Sequence, residues 1–439
     1  MTFVPARHWN RLQEEKPGSA IEVRTPWWRK LGPGLITGAA DDDPSGIATY
    51  SQGGAQFGYG VAWTLLLTYP LMVAIQLASA RIGRVTGKGL TESFFALWPR
   101  WSVYALVGLL VLANVINLGA DLNAMGDVTA LVVGGPKAVY AAAFGIVSLA
   151  LQIFLPYERY VRILKWLTLS LLAYVGVALS IKVDWHAALV GTVLPQVHLE
   201  KDYITTVVAI LGTTISPYLF FWQASQEVEE IKRVAPDKPL RSAPEQSVRQ
   251  LRRLHIDTFA GMGFSNLIAF FMIVATAATL HAQGITQIDT TAQAAQALKP
   301  IAGDAAFLLF AVGIIGTGLL ALPVLAGSAA YAVATVLRVR KGLDLPPAAA
   351  KPFYGILAAA MLIGVAISIA RLNPIQALYW SAVINAVISV PIMVAVMRAA
   401  CSRRLMGEFA LPRRWTWLGW LATAAMAAAT LAMFAGMAL

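Results

Sequence analysis

Apolar residues are gathered into long runs, each about the 20 residues a helix needs to cross a bilayer, joined by short polar or basic stretches. The runs cover approximately residues 31–57, 61–82, 101–126, 139–155, 160–181, 203–227, 256–280, 305–337, 353–370, 374–397 and 415–439. They predict an all-α polytopic membrane protein with about eleven transmembrane helices. Two runs are broken in the middle. Asp41-Asp42-Asp43-Pro44-Ser45-Gly46 interrupts the first, and Thr213-Thr214-Ile215-Ser216-Pro217 interrupts the sixth. Proline has no N–H to donate and clashes with the turn before it, so each helix is expected to stop and restart there. The stop frees backbone carbonyls of the first half-helix to face a cation.

Each broken run opens a set of five. Residues 31–181 and 203–398 therefore read as a 5+5 inverted repeat, because an odd number of spans per repeat turns the second over relative to the first. Paired interrupted spans put the site near the membrane midplane, at the repeat interface. The rest of the chain is a tail at 1–30, a loop at 399–414 and an additional helix at 415–439, anchored at the interface by Trp415, Trp417 and Trp420.

Composition agrees: 58% of residues are hydrophobic and 13% charged, which leaves no room for a separate soluble domain. A net charge of +11 could point to nucleic acid, but its distribution points elsewhere. With the N-terminus inside, all of the 34 Lys and Arg lie in inside segments except Lys137, Lys182, Lys201, Lys299 and Arg371. That is the positive-inside rule, and it predicts a multi-pass cell (inner or plasma) membrane protein with a cytoplasmic N-terminus and an outside C-terminus. No nucleic-acid partner is expected. Residues 1–30 lack an apolar stretch with a cleavage site and read as a tail rather than a signal peptide. The single cysteine, Cys401, excludes an intrachain disulfide.

An aspartate near the bilayer centre costs at least ~2.5 kcal/mol and persists where it faces a bundle interior, a cavity or an ion. Asp41 to Asp43 at a helix break therefore read as an ion site. Two blander arrangements fit the same residues: Asp41 and Asp42 in a water-filled vestibule with Asp43 alone acting, or a cluster that only caps a re-entrant segment. On the third run Asn114, Asn117 and Asp121 share one helix face, which should point inward. Asn385 either reaches the site or bonds a neighbouring helix. Glu227, Glu229 and Glu230 read as a solvated helix end, His186 and His198 as solvated loop residues, and the fourth and fifth runs as scaffold. No nucleophile–base pair, P-loop or HExxH pattern occurs, so an enzyme is not expected and no cofactor is implied.

Gly32-Pro33-Gly34, Asp43-Pro44-Ser45-Gly46 and Gly54-Ala55-Gln56-Phe57-Gly58-Tyr59 together resemble the NRAMP family of divalent-metal transporters. The resemblance implies a LeuT-type fold with helices 1 and 6 broken, and transport by alternating access. It also implies a metal site in which Asp43 is the charged ligand, the Ala40 and Thr213 carbonyls point in from the half-helix ends, and Gly46 and Ser216 line the remaining space. Asp42, Asp121, Tyr218, Gln223 and Asn385 are candidates for an additional site or pathway. Gly46 stands where the family motif has asparagine, Ser216-Pro217-Tyr218 where it has methionine-proline-histidine, and Ala124 where it has a glutamate. Loss of a soft thioether removes discrimination against hard ions. Smaller side chains are expected to leave room for the waters that Mg2+ keeps. The pattern looks like the divergent NRAMP-related magnesium transporters, importing Mg2+ and also Mn2+ without proton coupling.

Three alternatives remain at the level of sequence. The first is a proton-coupled Mn2+/Fe2+ importer of the ordinary type. The second is an organic-solute symporter of the same fold, which the three aspartates disfavour by repelling a substrate carboxylate. The third is a metal-sensing membrane receptor, which would need an output domain. A monomer in the lipid bilayer is expected by analogy with the fold.

Overall fold

The computed structural model describes residues 33–155, 171–234, 236–370 and 372–438. The tail at 1–30 and the first half of the fifth apolar run lie outside these residues. The first broken helix is α1 (Pro33–Asp41) followed by α2 (Pro44–Phe57), and α3 (Trp63–Thr86) and a short α4 (Leu90–Phe95) come next. Then come α5 (Arg100–Val133), α6 (Lys137–Phe154), α7 (Leu172–Ser180) and α8 (Trp185–Val193). The second broken helix is α9 (Lys201–Thr214) and α10 (Pro217–Arg233), followed by α11 (Ser247–Thr279), α12 (Thr291–Gln296) and α13 (Lys299–Ala302). The chain closes with α14 (Ala306–Val336), α15 (Lys351–Ser368), α16 (Pro374–Cys401), α17 (Arg403–Met406) and α18 (Arg413–Ala438).

Both helices break where proline and the polar cluster predict. Nine helices among the described residues are long and apolar enough to cross a membrane, the α9–α10 pair counting as one. The α1–α2 pair is not among them because every stretch of it long enough to span carries Asp41, Asp42 and Asp43. Pro70 lies within α3 without ending it.

Packing sorts the helices into two groups. One holds α1, α2, α3, α10 and α11; the other holds α5, α6, α14 and α15, with α16 packed between them and α9 packed against α16, α18 and α2. Glycine permits the closest crossings of the broken helices. A Cβ on Gly38 of α1 would overlap the carbonyl of Gly261 on α11, and one on Gly212 of α9 would overlap that of Ala382 on α16. Gly318 of α14 meets the sulfur of Met125 on α5, as a small-residue contact face requires. The helices α6 and α18 lie at the periphery, with Phe154 and Leu431 exposed where lipid would cover them.

Candidate functional site

The first break is built around Asp43. It sits in an extended conformation ahead of α2 and caps that helix, its Oδ1 accepting from the Gly46 N–H at 2.9 Å and the Ser45 hydroxyl at 2.6 Å. The cap commits one carboxylate oxygen. The other, Oδ2, faces the bundle, where Asn117 Nδ2 donates to it at 2.8 Å and the Tyr218 hydroxyl lies 3.3 Å away. The same hydroxyl reaches the Ala40 carbonyl at 3.0 Å. One phenol oxygen from the second broken helix thus meets the carboxylate and the freed carbonyl of the first.

Asn117 extends the site outward. Its Nδ2 also reaches Asp121 Oδ2 at 3.3 Å, and its Oδ1 accepts from Asn385 Nδ2 at 3.4 Å. Asn114, Asn117 and Asp121 are all fully buried, so the polar face of α5 points inward as its spacing predicts. Asn385 joins the site's network rather than bonding elsewhere. Neither Asp41 nor Asp42 lies in a vestibule, for both are buried. The Ser265 hydroxyl of α11 bridges them, 2.6 Å from Asp41 Oδ2 and 3.1 Å from Asp42 Oδ1. Buried carboxylates grouped this closely call for a neutralising proton or cation.

At the second break, Ser216 turns its hydroxyl back to the Gly212 and Thr213 carbonyls at 2.7 and 2.9 Å. The Thr213 carbonyl therefore already has a donor. Gly46 leaves no spare volume either: a Cβ there would lie 3.1 Å from Thr213 Oγ1 and 3.3 Å from the Tyr50 ring. The expectation that Gly46 and Ser216 leave room for a hydration shell is corrected here, because Thr213 and Tyr50 fill that space.

One end of the site is shut by charge. Gln223 accepts from Thr37 at 2.5 Å and donates to Glu227 at 3.3 Å, leading from the site to an ion-pair cluster. Fully buried Arg84 pairs with Glu227 at 2.7 Å and Asp237 at 3.2 Å, and Arg253 joins Glu227 at 3.0 Å and also Glu230. Glu227 and the half-buried Glu230 thus form a clasp between α3, α10 and α11, and Glu229 is buried beside Tyr331, which corrects their reading as a solvated end. On the opposite side a cavity of about 290 Å³, lined by Gln52, Asp202, Asp289 and Tyr379 among others, leads toward α2 and α9.

Comparison with known proteins decides the lineage. Residues 34–436 match the family described as natural resistance-associated macrophage protein-like, Nramp. The chain belongs to the Nramp family. Among its Nramp relatives, the divalent metal cation transporter MntH of Deinococcus radiodurans is 29% identical over 302 residues, 66% of this chain and 65% of that protein. The MntH of Acidiphilium cryptum is 27% identical over 406 residues, 88% of this chain and 86% of that one. In fold, the Eremococcus coleocola manganese transporter matches with a TM-score of 0.77 at 16% identity, covering 94% of this chain and 88% of its own. Mhp1, a nucleobase-cation-symport-1 transporter, matches at 0.54 and 13% identity, covering 93% and 91%. These likenesses give the LeuT-type architecture, and the relatives are transporters rather than enzymes.

Against that family frame, the aligned break residues are together but not all turned inward. Asp43, Ala40 and Tyr218 converge, Asp121 and Asn385 stand one amide away, Gln223 lies on the side of the ion-pair cluster, and Ser216 and Thr213 bond each other. Sequence reading did not assign Asn117, Ser45 or Ser265 to the site. Asn117 carried a signal, one turn before Asp121 on the polar face. Ser265 carried none, because its partners are 223 and 224 positions away.

Proposed function

We propose that this Nramp protein imports divalent metal ions, Mg2+ and also Mn2+, across the cell membrane by alternating access and without proton coupling. The observation that carries the reading is the convergence of Asp43 Oδ2 and the Ala40 carbonyl on one point across the first break. The oxygens that meet there are a carboxylate, a backbone carbonyl and a phenol, with no thioether or imidazole among the contacts named, and the Asn117 amide turns its N–H toward Asp43. Oxygen donors of this kind suit hard ions. The metal is the substrate, held by Asp43 and Ala40, with Gly46 beside them and Thr213 and Ser216 on the opposing wall. As it enters, the Tyr218 hydroxyl gives up one of its two acceptors.

The inverted repeat of residues 31–181 and 203–398 supplies the rocking motion. The group containing α1, α2, α10 and α11 tilts against the group containing α5 and α14. The clasp at Arg84, Glu227 and Arg253 joins α3, α10 and α11 within the first group and moves with it. The orientation is N-terminus inside and C-terminus outside, and the working unit is the monomer.

A second reading, a proton-coupled Mn2+/Fe2+ importer, draws on Asp121, a buried carboxylate linked through Asn117 to Asp43. Uptake into proteoliposomes with an inside-negative potential separates the two. Mg2+ entry that Asp43→Ala abolishes, and that persists when only the pH gradient is collapsed, supports the first. Mn2+ entry that millimolar Mg2+ neither accompanies nor competes with, and that follows the pH gradient, supports the second.

A further inference from the structure

Beyond the clasp, at the inner end of α10, a second group of polar side chains surrounds a cavity of about 330 Å³. Two carboxylates meet on its wall. Glu229 is only 3% exposed and accepts from the Tyr331 hydroxyl of α14 at 2.7 Å. Asp344 comes from the turn after α14 and lies within hydrogen-bond reach of Glu229. Gly342 shows how close they are: a Cβ there would lie 2.9 Å from Glu229 Oε1 and would overlap Asp344 Oδ1. Ionised carboxylates only accept, so two in contact repel unless a positive charge comes between them.

The same wall carries two further buried side chains with unpartnered atoms among the described residues. They are Gln152, through its Oε1, and Gln226, through its Nε2, and each residue is 7% exposed. The Gln152 oxygen is a ready cation ligand. The Gln226 amide, turned over, presents another, since the two ends of an amide are told apart only by their partners.

We propose that Glu229 and Asp344, with the Gln152 and Gln226 amides, bind a divalent cation at the inner end of the protein, apart from the site at Asp43. Arg233 on the wall and Lys232 beside Glu229 temper the charge. The site is therefore weak, about millimolar, like other oxygen sites with few charged ligands. A bound ion ties α10 to the turn after α14, across the two packing groups. The inner half of α10 cannot swing away while the ion holds it. A cation that binds only the closed form shifts the balance toward that form, so a rising inner concentration of the transported class of ion slows further entry.

The binding half of this inference is independent of the transport reading, and the regulatory half rests on it; two experiments keep them apart. In the first, Mn2+ binding to the purified full chain carrying Asp43→Ala is followed by electron paramagnetic resonance. A residual site of about millimolar affinity, weakened at least about tenfold by adding Asp344→Asn or Glu229→Gln, is the expected result. No residual site, or one indifferent to both substitutions, overturns the proposal and leaves the carboxylates sharing a proton. In the second, Mg2+ uptake by the chain with Asp43 intact is measured with internal Mg2+ raised from zero to several millimolar. Slowing that Asp344→Asn relieves, with the zero-internal rate unchanged, supports the lock; equal slowing in both proteins overturns it.

Discussion

The two helix breaks are alike in backbone and opposite in chemistry. At the first, three carboxylates are buried together and Asp43 caps the helix that follows. At the second no charge is present, Ser216 makes no side-chain cap to α10, and its hydroxyl bonds backward into α9. The first break therefore supplies charge and a carbonyl met only from the other break, while the second satisfies itself and sends Tyr218 across. A proline break creates an opportunity for a site, and side-chain chemistry decides whether it is used.

Substitutions can press on this asymmetry. Asp43→Asn keeps an acceptor for the Ser45 and Gly46 cap but removes the charge, so Mg2+ uptake should fall at least about 100-fold, near 2.7 kcal/mol of lost stabilisation, with folded yield unchanged. Uptake near the original rate would break the comparison at its root. Asn117→Ala withdraws a charge-assisted donor from Asp43 Oδ2, worth about 1.5–3 kcal/mol. It should alter the apparent KM for Mg2+ by roughly tenfold, read from uptake against concentration.

Tyr218→Phe removes the hydroxyl shared by Ala40 and Asp43. A net hydrogen bond is worth about 1 kcal/mol, so KM should shift by no more than about fivefold, and downward if the hydroxyl competes with the ion. Ser216→Ala should change uptake by less than about twofold, because a hydroxyl bonded to its own helix contributes little beyond it. A large loss with Ser216→Ala would show that the second break is a ligand after all.

Much of the fold was legible because apolar length and proline act locally. The breaks at Asp43-Pro44 and Ser216-Pro217 and the inward face of Asn114, Asn117 and Asp121 need only the residues beside them. What failed to show was the partner from another helix. Glu227, Glu229 and Glu230 look solvated when read along the chain, yet Arg84 and Arg253 arrive from α3 and α11 to bury two of them, and Tyr331 arrives from α14 for the third. Gly46 looked like spare volume for the same reason. The atoms that fill it, from Thr213 and Tyr50, are brought there by packing, and a missing side chain in sequence is not a cavity until its neighbours decline the space.

The cap on α2 also sets the denticity of Asp43. With Oδ1 held by Ser45 and Gly46, only Oδ2 is left for the proposed ion, which would meet the carboxylate through a single oxygen. Ca2+ draws on chelating carboxylates and an expanded, adaptable shell, whereas Mg2+ is content with single contacts in a tight octahedron. On the proposed function, helix initiation and discrimination between alkaline-earth ions would depend on the same two hydrogen bonds, and a residue that starts a helix would also limit how large an ion that helix can grasp.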